Sequence, residues 1–277
     1  MAETWVLVTN DDGVDSPALT PLLTELGRFV EVRAVVPAAE CSWTAKVMSR
    51  FRPVEVTRSE QTGDSVWAVT GYPADCANLG VHTLFTTPPA LVVSGVNMGN
   101  NAGLAYLLSS GTVGAALEGA LAGIPAAAFS VQLDDQDYAR WRGHRELSPA
   151  VGRLLDQAAR TTAEIAAEVL AGGLPAGADL LNVNLPATLG PDTARRFAPV
   201  TRTAYGPYFA PADGDGRYRY RFSGLRVTAE DPAGDLAVLG RGEAAMTAVR
   251  LSMGAVPGEV DRARFERPGE SGRRAAC

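Results

Sequence analysis

Short, nearly continuous apolar runs alternate with helical patterns through the first half of this chain, and few folds accommodate that alternation. Residues 5–9 (WVLVT) predict a first strand, followed by a loop and a helix over about 18–29. Residues 30–36, rich in Val and closed by Pro37, predict a second strand. A helix over about 73–85, a strand at 90–93, a helix near 112–122 and a strand at 126–131 continue the pattern. Strands that are apolar on both faces and separated by helices belong to a parallel sheet covered on both sides, an α/β class. Such sheets place ligands beyond the carboxyl ends of their strands.

The second half opens with a long Ala-rich helix over about 149–170, ended by Gly172-Gly173, and returns to a strand at 180–184. After Pro186 the character changes. Residues 205–222 are rich in Tyr, Arg and Gly around Asp213-Gly214-Asp215-Gly216, the signature of a protruding hairpin suited to an oligomer contact. Residues 257–277 are polar and without periodicity, which predicts a loosely ordered tail. The expected organisation is a core over 1–186, an extension over 187–256 and a flexible tail over 257–277.

At 277 residues and 46% hydrophobic, the chain has ample material for one large α/β domain with an elaborated second part. A net charge of −6 gives no electrostatic case for binding a nucleic-acid backbone. The basic residues are 24 Arg and one Lys, Lys46, which falls in the loop after the second strand. Three scattered cysteines, Cys41, Cys76 and Cys277, make neither a disulfide framework nor a Cys-based zinc site. The N-terminus shows no basic and apolar leader, and no apolar stretch reaches the length of a membrane span, so the expected location is cytoplasmic, with no membrane partner.

Four polar clusters sit at the ends of predicted strands or at a helix start. The first is Asn10-Asp11-Asp12-Gly13, directly after strand one. Two adjacent carboxylates there either meet a cation or paired donors, or serve as a helix cap and a turn residue. The second, over 37–49, includes Ser42, Thr44 and Lys46. The third, 94–101, carries Ser94, Asn97, Asn100 and Asn101 with Gly95 and Gly99, and is either a ligand loop or a glycine-rich turn. The fourth, Ser109-Ser110-Gly111-Thr112, opens a helix, where hydroxyls and free N–H groups make an anion site or an ordinary N-cap.

A parallel sheet would bring these loops to one edge. Their ligands are carboxylate, hydroxyl and amide oxygens, a hard set that favours Mg²⁺ or Mn²⁺. A metal beside an anion-binding helix start suits phosphoryl transfer to water. Rival chemistries lack residues. His82 falls in a predicted helix and His144 in a charged loop, and no nucleophile elbow, Walker loop or H-E-x-x-H is present. Asp11-Asp12 also lacks the spacing of aspartyl-phosphate phosphatases, and Asp75-Cys76 reads as a cap carboxylate and a packed thiol.

These motifs resemble the SurE (survival protein E) family of 5′/3′-nucleotidases. The matching segments are Val8-Thr9-Asn10-Asp11-Asp12-Gly13-Val14, Gly71-Tyr72-Pro73-Ala74-Asp75-Cys76, Val93-Ser94-Gly95-Val96-Asn97-Met98-Gly99 and the run from Ser110 to Gly119. Asn182-Val183-Asn184-Leu185-Pro186 and residues 231–249 are similar as well, so the resemblance extends to about residue 253. It implies a Rossmann-like α/β core with a smaller, β-rich C-terminal part exchanged between subunits of a homodimer or homotetramer. It also implies a divalent-metal-dependent phosphomonoesterase of the acid-phosphatase-like kind, acting on nucleoside monophosphates. By motif, Asp11, Asp12, Ser42 and Asn97 would hold the metal, with Asp11 or Asp12 also the base for the attacking water. Ser110, Gly111 and Thr112 would hold phosphate, with Asn10 and Asn101 nearby.

One position departs from the family pattern. Where the second loop usually has Ser-Gly, this chain has Ser42-Trp43, with Lys46 three residues on. Trp43 either stacks on a flat group of the substrate or narrows the pocket. Two further readings remain at this stage: a phosphatase for a phosphorylated intermediate of a specialised biosynthetic route, and a non-catalytic nucleotide- or metal-binding relative.

Overall fold

A computed structural model describes residues 4–59, 65–144, 146–212, 214, 216–221, 224–252 and 254–266. The core opens with strand β1 (Trp5–Thr9), helix α1 (Leu19–Leu26) and strand β2 (Glu31–Pro37). Two short strands, β3 (Val56–Arg58) and β4 (Val66–Val69), lead to helix α2 (Pro73–His82). Strand β5 (Leu91–Met98) is followed by α3 (Leu104–Ser109), α4 (Gly111–Leu121) and β6 (Ala126–Val131). Helices α5 (Asp135–His144) and α6 (Pro149–Gly172) then precede β7 (Leu180–Leu185).

The remaining elements are strands β8 (Arg195–Phe197), β9 (Arg202–Tyr205), β10 (Phe209–Pro211), β11 (Tyr218–Tyr220) and β12 (Leu225–Ala229). Helix α7 (Asp235–Gly240), strand β13 (Ala244–Val249) and helix α8 (Glu259–Phe265) complete the chain.

Nine strands form one sheet in the order β3-β4-β2-β1-β5-β6-β7-β13-β8. The six central strands from β4 to β7 run parallel. The sheet is thus mostly parallel and Rossmann-like, and its antiparallel pairings, β3 with β4 and β13 with β7, lie toward the edges. Every residue of β1, β6 and β7 is buried; β1 and β6 read as unbroken apolar or small-residue runs, whereas β7 carries two buried asparagines, Asn182 and Asn184, whose amides hydrogen-bond the Asn101 backbone. Leu19, Leu22 and Leu26 of α1 and Leu155, Ala159 and Ile165 of α6 pack on one face of the sheet. Cys76 and Val81 of α2 and Val113 and Ala116 of α4 pack on the other.

Local signals in the sequence act as expected at several ends. Ser148 caps α6 by accepting from Val151 N at 3.2 Å, with Pro149 in the first turn, and Gly173 ends it in the left-handed region at φ +78. Asp75 accepts from Tyr72 N at 2.9 Å at the start of α2, and Cys76 is a buried thiol.

Other expectations are corrected or given firm bounds. β5 does not stop at Val93 but runs on to Met98, with a register shift between Ser94 and Asn97 where it pairs with β6. The third cluster is therefore half strand, and its polar residues hide the strand in the sequence. His144 ends helix α5 rather than lying in a loop; of that helix only Trp141 is buried, so no apolar periodicity marks it. The expected hairpin exists as β10 paired with β11, carried on the antiparallel ribbon of β9 and β12. Asp213, Asp215 and Phe222 lie outside the described residues. The expected tail is helical over Glu259–Phe265, without a buried residue, and 267–277 lie outside the described residues.

Candidate active site

The winding of the sheet reverses between β1 and β5. From β1 the chain steps outward through β2 to β4, and from β5 it steps the other way through β6 to β7. The carboxyl ends of β1 and β5 therefore flank the crevice in which α/β sheets bind ligands. Asn10-Asp11-Asp12-Gly13 leaves β1 at this point, and Asn97 lies one residue before the end of β5.

Asn10 and Gly13 close the turn upon each other. Asn10 Nδ2 donates to the Gly13 carbonyl and Gly13 N donates to Asn10 Oδ1, each at 3.0 Å. Gly13 sits at φ +89, and a Cβ there would lie 2.9 Å from the Ala39 carbonyl carbon, so only glycine fits. The turn leaves Asp11 only 3% exposed. Its Oδ1 accepts from the Thr112 hydroxyl at 2.7 Å.

Burial pushes the Asp11 carboxyl up from 3.8 to about 6. Hydrogen bonds from the Thr112 hydroxyl and from backbone N–H groups oppose that rise, and the charge of Glu40 adds to it. A carboxylate in this setting is relieved by a cation placed beside it. Asp12 is half-buried and accepts from Met98 N at 3.2 Å, which ties the acidic turn to the end of β5.

The second loop is fastened to the first, because Cys41 N donates to the Asp11 carbonyl at 2.7 Å. Ser42 Oγ donates to Glu40 Oε1 at 2.8 Å, and Arg142 of α5 pairs with the same Glu40. Asn97 Nδ2 donates to the Gly99 carbonyl at 2.9 Å, so its amide oxygen is the atom left to act as a ligand. Helix α4 points its start at Asp11. A Cβ on Gly111 would lie 2.9 Å from Asp11 Cβ and 3.0 Å from Thr44 Oγ1, so the absent side chain is what permits the approach.

A cavity of about 700 Å³ opens over these groups. Asp11, Asp12, Ser42, Asn97, Asn101 and Ser110 all line it, and so does Trp43. Its size lies within the usual range for small-molecule sites. Among the described residues no three His, Cys, Asp or Glu side chains converge to hold a metal. The donors gathered here are instead the Asp11 and Asp12 carboxylates with neutral hydroxyl and amide oxygens, while Glu40 in the same wall is paired with Arg142; this set fits a hard divalent ion.

Four of the expected residues do not line the cavity. Lys46 does not line the cavity; its ammonium pairs with Glu118 of α4, whose other oxygen accepts from Asn78 Nδ2 at 2.7 Å. Thr112 is fully buried and its hydroxyl donates to Asp11, which holds the carboxylate in place. Asn10 is consumed by its own turn, and Gly111 serves as the point of close contact just described. Asn101 does line the cavity, but its amide is anchored by donation to Ser130 Oγ at 2.8 Å.

A profile of the family described as Survival protein SurE matches residues 6–208, a span that contains all four loops of the crevice. The chain belongs to the SurE family. The 5'-nucleotidase SurE of Methanocella arvoryzae is 34% identical over 261 residues, covering 92% of this chain and 95% of its own length. That of Methanoregula boonei is 38% identical over 185 residues, covering 66% of this chain and 68% of its own. The crystal structure of the SurE protein from Aquifex aeolicus superposes with a TM-score of 0.72 at 25% identity, covering 94% of this chain and 97% of that one.

On this SurE scaffold several cavity residues were absent from the sequence reading. Glu40 and Arg142 form an ion pair in the cavity wall, and Tyr138 and Trp141 come with Arg142 from α5. Tyr106 and Tyr220 line the wall on the Trp43 side. Glu40 lies two residues from Ser42, and Tyr106 falls between Asn101 and Ser110, so both were open to inspection; Tyr220 belongs to the Tyr-rich hairpin, and only Tyr138, Trp141 and Arg142 come from a helix that nothing local marks.

Proposed function

We propose that this chain, a phosphoric monoester hydrolase of the SurE family, hydrolyses nucleoside monophosphates at the β1–β5 crevice in the presence of Mg²⁺ or Mn²⁺. The observation that carries this reading is the buried Asp11 beside Asp12 at the switch point of the sheet, sharing one cavity with Ser42, Asn97 and Ser110. The names of the nucleotidase relatives support the substrate class.

Asp11, Asp12, Ser42 and Asn97 would hold the ion. When bound, it supplies positive charge that polarises a phosphate oxygen and offsets charge developing on the transferring group. Ser110, at the start of α4, orients the phosphate from the cavity wall, backed by the positive end of the helix. Thr112 holds Asp11 in place through its hydroxyl. Water attacks phosphorus while its proton passes to Asp11 or Asp12, the ester P–O bond breaks, and the departing oxygen takes up a proton returned from that carboxyl group or from solvent, so that the alcohol and inorganic phosphate leave. The core over 1–186 carries this chemistry, and the extension over 187–256 contributes the hairpin, through which the subunits associate as a homodimer or homotetramer.

The test is a screen of the purified protein for phosphate release from mononucleotides and sugar phosphates with Mg²⁺, with Mn²⁺ and with EDTA. Release only with metal is expected; release from nothing would leave a binding module.

A further inference from the structure

Trp43 occupies a backbone position ill suited to a large side chain. Its φ of +64 lies in the left-handed region, where a bulky residue is an outlier and glycine is at ease. The residue is 45% exposed, yet its indole is surrounded by rings. Tyr205 lies 5.6 Å away, Tyr106 5.8 Å, Tyr208 6.0 Å and Tyr220 6.4 Å, centroid to centroid. Three of these, Tyr205, Tyr208 and Tyr220, come from the β9–β12 ribbon and its hairpin, which thus lies over the cavity of its own chain.

The cluster is braced. The Tyr205 hydroxyl donates to the Ala105 carbonyl at 2.6 Å and lies 2.7 Å from Ser109 Oγ, and Tyr208 stacks on Tyr220 at 5.6 Å with an interplanar angle of 24°. Burial pushes the Tyr106 hydroxyl up to about 12, and the Tyr208 and Tyr220 hydroxyls are raised as well, chiefly by burial. The wall is therefore neutral and does not repel an anionic substrate. Trp43, Tyr106 and Tyr220 line the same cavity as Asp11, Asp12 and Ser110.

We infer that Trp43 and Tyr220 are specificity-determining residues: a braced aromatic wall that selects phosphomonoesters carrying a flat heteroaromatic group over those carrying only a sugar. This rests on the hydrolytic reading above and names what lies beyond the phosphate. A base has two π-faces and stacks on indole or phenol whatever its hydrogen-bonding edge, so the wall favours nucleotides in general rather than one base.

The probes are adenosine 5′-monophosphate and ribose 5-phosphate, which share the sugar and phosphate and differ in the base. The ratio of their kcat/KM values is measured for the wild type, Trp43→Gly, Trp43→Phe and Tyr220→Ala. Trp43→Gly suits the local backbone and is expected to lower the ratio roughly tenfold to a hundredfold, mainly through KM for the nucleotide. Trp43→Phe restores most of it, and Tyr220→Ala lowers it by less. Calorimetric binding of the two compounds to the same proteins in EDTA reads the preference without turnover. A ratio and a binding preference that Trp43→Gly leaves unchanged would overturn the inference. Absence of turnover with an intact, Trp43-dependent binding preference would overturn the hydrolytic reading alone.

Discussion

At the scale of single residues, Asp11 sets the balance between stability and use. The folded protein holds this carboxyl's proton up to about pH 6, whereas the unfolded chain releases it near 3.8. The folded state binds more protons between those values, so stability contributed by this group falls as pH rises through that window. Above it the buried charge costs roughly 2–3 kcal/mol in metal-free protein. Asp11→Asn keeps an oxygen for the Thr112 hydroxyl and removes the charge. In EDTA the variant is expected to exceed the wild type in stability by roughly 1–3 kcal/mol at pH 7.5 and to match it near pH 4, by urea titration. Added Mn²⁺ then stabilises the wild type and leaves the variant unmoved. Equal stabilities at both pH values would mean that Asp11 carries no such burden. Asp11 and Asp12 were legible as a pair because adjacent carboxylates after a strand are chemically conspicuous. Lys46 was not: its loop is at the site, but its charge is claimed by Glu118, a partner no local pattern reveals.

At the scale of elements, the site depends on how closely α4 approaches the β1 turn. Gly111 is the contact point, and its replacement by Ala would set a Cβ 2.9 Å from Asp11 Cβ and 3.0 Å from Asp11 Oδ2. Gly111→Ala is expected to lower stability by roughly 1–3 kcal/mol and phosphate release by about a hundredfold. Circular dichroism and a phosphate assay check this; near-normal turnover would show that the helix can move back without consequence. The strands β1 and β6 were legible since burial on both faces leaves an apolar or small-residue run, and β2 through its buried Ala34–Pro37 half. The end of β5 was not, because Ser94, Gly95 and Asn97 interrupt the run just where the strand supplies the site. Helices α3 and α5 escaped for a related reason: one has only six residues, and the other buries only Trp141.

At the scale of the whole molecule, strand order decides where chemistry occurs. Nothing in the first strand states that β5 will lie beside it, yet that adjacency makes the switch point. The hairpin was legible as a hairpin, but its bearing on the cavity was not, since Tyr208 and Tyr220 meet Trp43 only through the fold. Phe209 and Tyr218 of the hairpin remain 65% and 66% exposed, surfaces that a second subunit would cover. Light scattering is expected to give the mass of a dimer or tetramer, reduced toward the monomer in Phe209→Ser/Tyr218→Ser; a monomeric wild type would remove the hairpin's proposed role in assembly. The central claim is that Asp11 and Asp12 hold a divalent ion for phosphomonoester hydrolysis. It is tested most directly by phosphate release from adenosine 5′-monophosphate with metal-stripped wild type and Asp11→Asn, titrated with Mn²⁺. The expected result is saturable, metal-dependent release by the wild type and a loss of at least roughly a thousandfold in the folded variant; undiminished release by Asp11→Asn, or by the wild type without metal, would contradict it.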